Sequence, residues 1–112
     1  MKRKQQDGYL APEHAKSPAP RWKQHRVIYN SDSSGTTFAS WSLAVGYWDG
    51  KAELGLRWNG DDETPLGSPK SHAYGTWFIV PKPLHLGVLA QVEHLVPHKV
   101  KEAIYFLLEG NF

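Results

Sequence analysis

Asp61, Asp62 and Glu63 stand in an unbroken acidic run, and His72 follows nine residues after Glu63. Such a set offers oxygen and nitrogen ligands to a divalent ion, or a carboxylate and imidazole pair for proton transfer. The spacing matches neither a calcium-binding loop nor an H-E-x-x-H helix, and the same residue types furnish ordinary solvated turns. His85, His94 and His98 raise the same question further on. The four-residue step from His94 to His98 would bring both to one helix face, but Pro97 between them breaks the helix, and no third ligand sits at a zinc-binding spacing. Surface or capping roles therefore fit these histidines better. Without cysteine there is no thiolate ligand, cysteine nucleophile or disulfide framework. The nucleophile elbow, the phosphate-binding glycine loop and the dinucleotide fingerprint are absent as well. The residues name no catalytic group, no cofactor and no metal, and the expectation leans away from an enzyme.

Length and composition set the frame for these side chains. The 112 residues, 40% of them apolar, suit one domain with one modest core. No apolar run is long enough for a membrane helix and the start lacks the apolar centre of a signal peptide, so the expectation is a cytoplasmic protein without membrane contact. Charge is unevenly spread: residues 1–26 carry seven basic and two acidic groups, net +5, and the remainder six basic and nine acidic, net −3. A basic tail on a mildly acidic body suits contact with nucleic acid or another acidic surface. Residues 1–24, with Pro12, Pro18 and Pro20 and no apolar periodicity, are expected to form a flexible extension before a domain spanning 25–112. Trp22, between Arg21 and Lys23, either docks on that domain or stacks on a ligand.

The body opens with a strand over residues 25–30, followed by a turn-rich stretch. In WSLAVGYWDGKAELGLRW, residues 41–58, apolar side chains alternate with small or polar ones on both sides of Asp49-Gly50. Alternation marks two half-buried strands, and Asp-Gly is a strong signal for a two-residue hairpin turn. Setting Trp48 opposite Lys51 pairs Tyr47 with Ala52, Val45 with Leu54, Leu43 with Leu56 and Trp41 with Trp58, all on one face. The other face is a shallow strip of Ala44, Gly46 and Gly55 flanked by Trp48 and Arg57. Glycine inside a strand often marks close approach by another backbone or a ligand, although a plain solvated face with a bulge has the same composition.

Residues 59–75 form a long polar stretch without periodicity, the expected place for a binding loop. TWFIV, residues 76–80, is a strand apolar on both sides, which implies a helix or another subunit on the sheet's second face. From Pro83 the pattern turns helical until Pro97, and a second helix fits residues 98–109, with Gly110 just past its end. Its apolar arc, widened by Tyr105 and Phe106, is broad for so small a protein and suits a partner. The expected fold is α+β: an antiparallel meander of three to five strands with two C-terminal helices.

Residues 53–81, with R-W-N-G at a strand end and T-W-F-I-V-P beyond the polar loop, resemble small uncharacterised proteins of plasmids and mobile gene cassettes. That resemblance implies a mobile-element origin and no particular activity. The meander followed by helices is also similar in outline to the single-stranded-DNA-binding coactivator and Whirly families, although the acidic body departs from their basic sheets.

The residues together suggest a non-enzymatic binding protein that forms a homo-oligomer and contacts nucleic acid through its tail and the strip around Trp48 and Arg57, with Trp22 and Arg26 at the tail's base. The alternative is a small-molecule pocket between the 59–75 loop and the sheet, with Arg57, His72 and Tyr74 as polar contacts.

Overall fold

In the computed structural model the Asp49-Gly50 turn sets the sheet. Both residues take positive φ, 51° and 85°, as a tight hairpin turn requires. The structure describes residues 10–31, 40–60, 65–71 and 74–109. Lys2, Arg3 and Lys4, the acidic run 61–63, His72 and Gly110 lie outside the described residues. Strands β1 (Trp22–Asn30), β2 (Trp41–Trp48), β3 (Lys51–Trp58) and β6 (Phe78–Ile79) form a four-stranded antiparallel sheet in the order β1-β2-β3-β6, and β4 (Lys70–Ser71) pairs with β5 (Tyr74–Gly75) in a small hairpin. The β2–β3 register is the one expected, from Trp48 opposite Lys51 to Trp41 opposite Trp58. The fold is α+β, with helices α1 (His85–Ala90) and α2 (Pro97–Glu109) at the C-terminal end.

One face of the sheet holds the main core. Leu43, Val45, Ala52 and Leu54 meet Leu89, Val92, Val100, Ala103 and Leu107 from the helical layer. Pro97 is the first residue of α2, where its missing N–H leaves no bond unmade. α1 is shorter than its periodicity suggests. Gln91, Val92 and Leu95 donate to carbonyls three residues back, so the chain leaves the α conformation before Pro97, whose ring disfavours a helical residue ahead of it. β6 is also shorter than the expected 76–80 strand, because the Thr76 N–H bonds to the Pro69 carbonyl instead. The expected facing is kept: Trp77 and Ile79 lie on the second face and Val80 on the first.

The second face corrects the expectation for the N-terminal segment. Pro12, Ala15 and Trp22 are buried, with Leu10 packed beside them, and β1 begins at Trp22 rather than at residue 25. Pro12–His14 form a 3-10 turn. The Leu10 N–H donates to the Pro65 carbonyl at 3.1 Å, Gln24 Nε2 donates to the Pro12 carbonyl at 3.1 Å, and Trp77 Nε1 donates to the Ala15 carbonyl. Ala15, Trp22, Ala44 and Trp77 form a second apolar cluster, with Leu10, Val27, Trp48 and Ile79 around it. The glycine strip is where the tryptophans sit. A Cβ on Gly46 would lie 2.8 Å from Trp22 Cη2, and one on Gly55 would lie 3.2 Å from Trp77 Cβ. The close approach at the strand glycines is made by the chain's own rings, and the second face, where the two-sided 76–80 strand implied a helix or another subunit, is met by Leu10, Ala15 and Trp22 of the same chain.

Trp22→Ala should therefore cost about 3–5 kcal/mol in chemical denaturation, and deletion of residues 1–24 should lower the melting temperature further. A deletion variant that melts like the parent would show that the segment does not hold the second face.

Candidate functional site

The six candidate binding residues do not converge. Trp22 is 2% exposed and Arg57 0%, so neither is open to a partner in this structure. Trp48 lies across from Trp22, half-buried, with the Arg21 guanidinium 4.8 Å above its ring centroid. Arg26 is on the helix side of the sheet, ion-paired to Glu102 of α2. Tyr74, 65% exposed, sits on the small hairpin, and His72 is outside the described residues. Along β3, Lys51 opposite Trp48 and Arg57 are six residues apart, or ~20 Å.

Arg57 is a clamp for the loop. The strip reading placed it on an open face, but its side chain lies under residues 65–76, where Nη2 donates to the Leu66 carbonyl and Nη1 to the Thr76 carbonyl, with the Pro69 carbonyl 3.4 Å away. Trp77 contributes its ring, 5.8 Å from the guanidinium carbon. A planar group with five donors suits several converging carbonyls, which a point-like ammonium cannot match. Gly67, at φ 71°, lets the loop backbone pass beside Arg57 Nη2, 2.6 Å from where a Cβ would stand. Next to it, Ser42 Oγ donates to Asn59 Oδ1 at 2.6 Å and Asn59 Nδ2 donates to Asn30 Oδ1 at 2.7 Å, with Asn59 fully buried. Of the polar contacts in the small-molecule alternative, Arg57 is engaged by the loop's own carbonyls, Tyr74 is exposed and His72 lies outside the described residues. Sequence reasoning missed this network because its members are spread over three strands; the small residues beside Arg57 were its only local trace.

The histidines have structural settings. His85 is buried and donates from Nε2 to the Val80 carbonyl at 2.8 Å, with Glu53 Oε1 3.6 Å from the same nitrogen, linking α1 to β3 and to the residue that follows β6. His94 and His98 fall on either side of the start of α2. Among the described residues no group of three or more His, Asp or Glu side chains could hold a metal ion.

At the hairpin end Arg21 makes a two-pronged contact with Asp49, Nε to Oδ1 at 3.1 Å and Nη2 to Oδ2 at 2.8 Å. The hydrogen bonds from Arg21 hold the Asp49 carboxyl below its ordinary range, and Asp49 raises Arg21 in turn. Exposed Lys23 lies opposite Tyr47 on the helix side here, where Tyr47 meets Phe106, and exposed Lys51 lies opposite Trp48 on the second face.

The helical layer presents the other open surface. Val100, Ala103 and Leu107 of α2 face the core, while Tyr105 and Leu108 are 57% and 55% exposed. Leu86 of α1 and Leu95 of the connection between the helices are exposed as well. Beside α2 lies a shallow depression bounded by Glu93, Pro97, His98, Lys101, Ile104 and Tyr105. At the far end of the same side of the sheet, Trp58 and Phe78 are also more than half exposed, so the helices leave that end uncovered. No described helix is long and apolar enough to cross a membrane.

Arg57→Met keeps the apolar stem but leaves the loop carbonyls without their donor, and should cost about 1–3 kcal/mol while opening residues 65–71 to limited proteolysis; an unchanged cleavage pattern would contradict the clamp. Asp49→Asn should keep the turn and lose the ion pair. Because the folded-state pKa of Asp49 is depressed, the pair's contribution is present above the ordinary carboxylate value of 3.8 and lost as pH falls through the folded value. The stability gap between parent and variant should thus be seen at neutral pH and close under strong acid, and a gap that widens on acidification would contradict the pairing. No protein-family model, no curated protein and no solved structure matches this chain.

Proposed function

We propose that this chain is a non-enzymatic interaction protein that self-associates through the outer surface of its helical layer. One observation carries the reading: the sheet's second face, a candidate contact surface, is covered by Leu10, Ala15, Trp22 and Trp77 of the same chain, while Leu86, Leu95, Tyr105 and Leu108 remain exposed on the helices and their connection. Apolar side chains grouped in this way mark a surface that a partner covers. The expected homo-oligomer thus has a helical contact surface. A mobile-element origin, implied by the likeness of residues 53–81 to plasmid and gene-cassette proteins, accompanies the proposal without adding an activity.

A second reading, single-stranded nucleic acid wrapped round the hairpin end, draws on exposed Lys51 opposite Trp48 on the second face and exposed Lys23 opposite Tyr47 on the helix side. Cations that follow phosphates beside rings that stack on bases are the usual means of such binding.

Sedimentation equilibrium of the full chain should give a mass above that of the 12.7 kDa monomer that falls on dilution, and Tyr105→Ser with Leu108→Ser should shift the equilibrium to monomer without loss of fold. A monomer at every concentration up to the high micromolar range would contradict self-association. For the second reading, titration of a fluorescent single-stranded oligonucleotide should show binding that weakens with salt and is lost in Lys23→Glu with Lys51→Glu; salt-insensitive binding or none would contradict it.

A further inference from the structure

The charges of α2 run against its own dipole. Aligned peptide units leave a helix N-terminus partly positive and its C-terminus partly negative, so acids stabilise the first turn and bases the last. In α2 the first turn holds no acid and the last no base; His98, Lys99 and Lys101 stand in its first half and Glu109 is its final residue. The acid in the first half, Glu102, is engaged by Arg26. With 3.6 residues per turn, His98, Lys101, Tyr105, Leu108 and Glu109 share the side opposite the buried Val100, Ala103 and Leu107, and all five are exposed. This outer stripe is basic at one end, apolar in the middle and acidic at the other. A stripe of that kind is complementary to itself when reversed.

We infer that the occupant of this surface is a second copy of the chain, related by a two-fold axis that passes beside Tyr105 and lays α2 antiparallel to its counterpart. The inference rests on the self-association reading above and names the geometry of that contact. In a two-fold interface residue i meets j and j meets i. Lys101 and Glu109 lie four residues, about 6 Å along the helix, on either side of Tyr105, so each Lys101 faces Glu109 of the other copy and the pair forms twice. The partly positive start of each helix then lies beside the partly negative end of the other, which offsets the unfavourable placement within a single chain. The shallow depression lined by Glu93, Pro97, His98, Lys101, Ile104 and Tyr105 offers Leu108 of the second copy apolar contact with Pro97, Ile104 and Tyr105.

Sedimentation equilibrium of the full-length protein tests this arrangement. Lys101→Glu and Glu109→Lys should each weaken the dimer by about tenfold or more, since each sets two like-charged pairs across the axis, and the two together should restore dimerisation to near the parental level. Each single change also brings the helix charges into line with the dipole, so the dilute monomer should melt no lower than the parent; a weakened dimer with an intact monomer melt separates a lost contact from a lost fold. A dimer indifferent to both single reversals, or one that the double reversal fails to restore, would overturn the antiparallel arrangement and leave self-association standing. A parent that is monomeric throughout would overturn both.

Discussion

Two indole rings need room against a sheet, and Gly46 and Gly55 supply it. Trp22 and Trp77 lie where side chains on those residues would stand, and they bring the ends of the chain's path together: Trp22 opens β1, and Trp77 leads into β6 and donates to the Ala15 carbonyl. A ring packed directly on sheet backbone buries a large apolar area, which lets a four-stranded sheet in so short a chain carry a second apolar cluster. Any residue larger than glycine at position 46 would meet the ring and the Lys23 carbonyl. The docking of Leu10 and Ala15 follows from where these rings sit.

Arg57 extends the same closure at the other end of the face. Its buried guanidinium would be costly to hide without partners, and the loop supplies them as backbone carbonyls from Leu66 and Thr76. Loop and arginine are mutually dependent, since the carbonyls need donors as much as the cation needs acceptors. With aromatic rings over one half of the face and a polar network over the other, the second face is covered by its own chain, while Trp58 and Phe78 stay exposed at one end of the first.

The hairpin could be read from the sequence because its information is local: an Asp-Gly turn and strict alternation leave one register that puts the apolar residues on one face. The glycine strip correctly signalled a close approach, but its occupant comes from more than twenty residues away along the chain in each direction. β1 was the harder element. Bulges between Gln24 and Arg26 and between Val27 and Tyr29 break its alternation, so Trp22 and Lys23 read as tail. The N-terminal segment docks through Leu10, Pro12 and Ala15, too few and too small to give a periodic signal. Arg57 misled for a different reason: arginine is ordinarily exposed, and its partners are carbonyls, which have no sequence signature.

With the second face closed by its own chain, the exposed apolar groups lie on the outer helical surface and at the Trp58 and Phe78 end of the sheet, and self-association is proposed through the first of these. Amide spectra recorded over a dilution series of the full-length protein test that claim most directly. Resonances of His98, Lys101, Tyr105 and Leu108 should move with concentration while those of Trp22, Gly46 and Trp77 stay fixed. Movement confined to the Trp22 and Trp77 side, with α2 unaffected, would contradict the account.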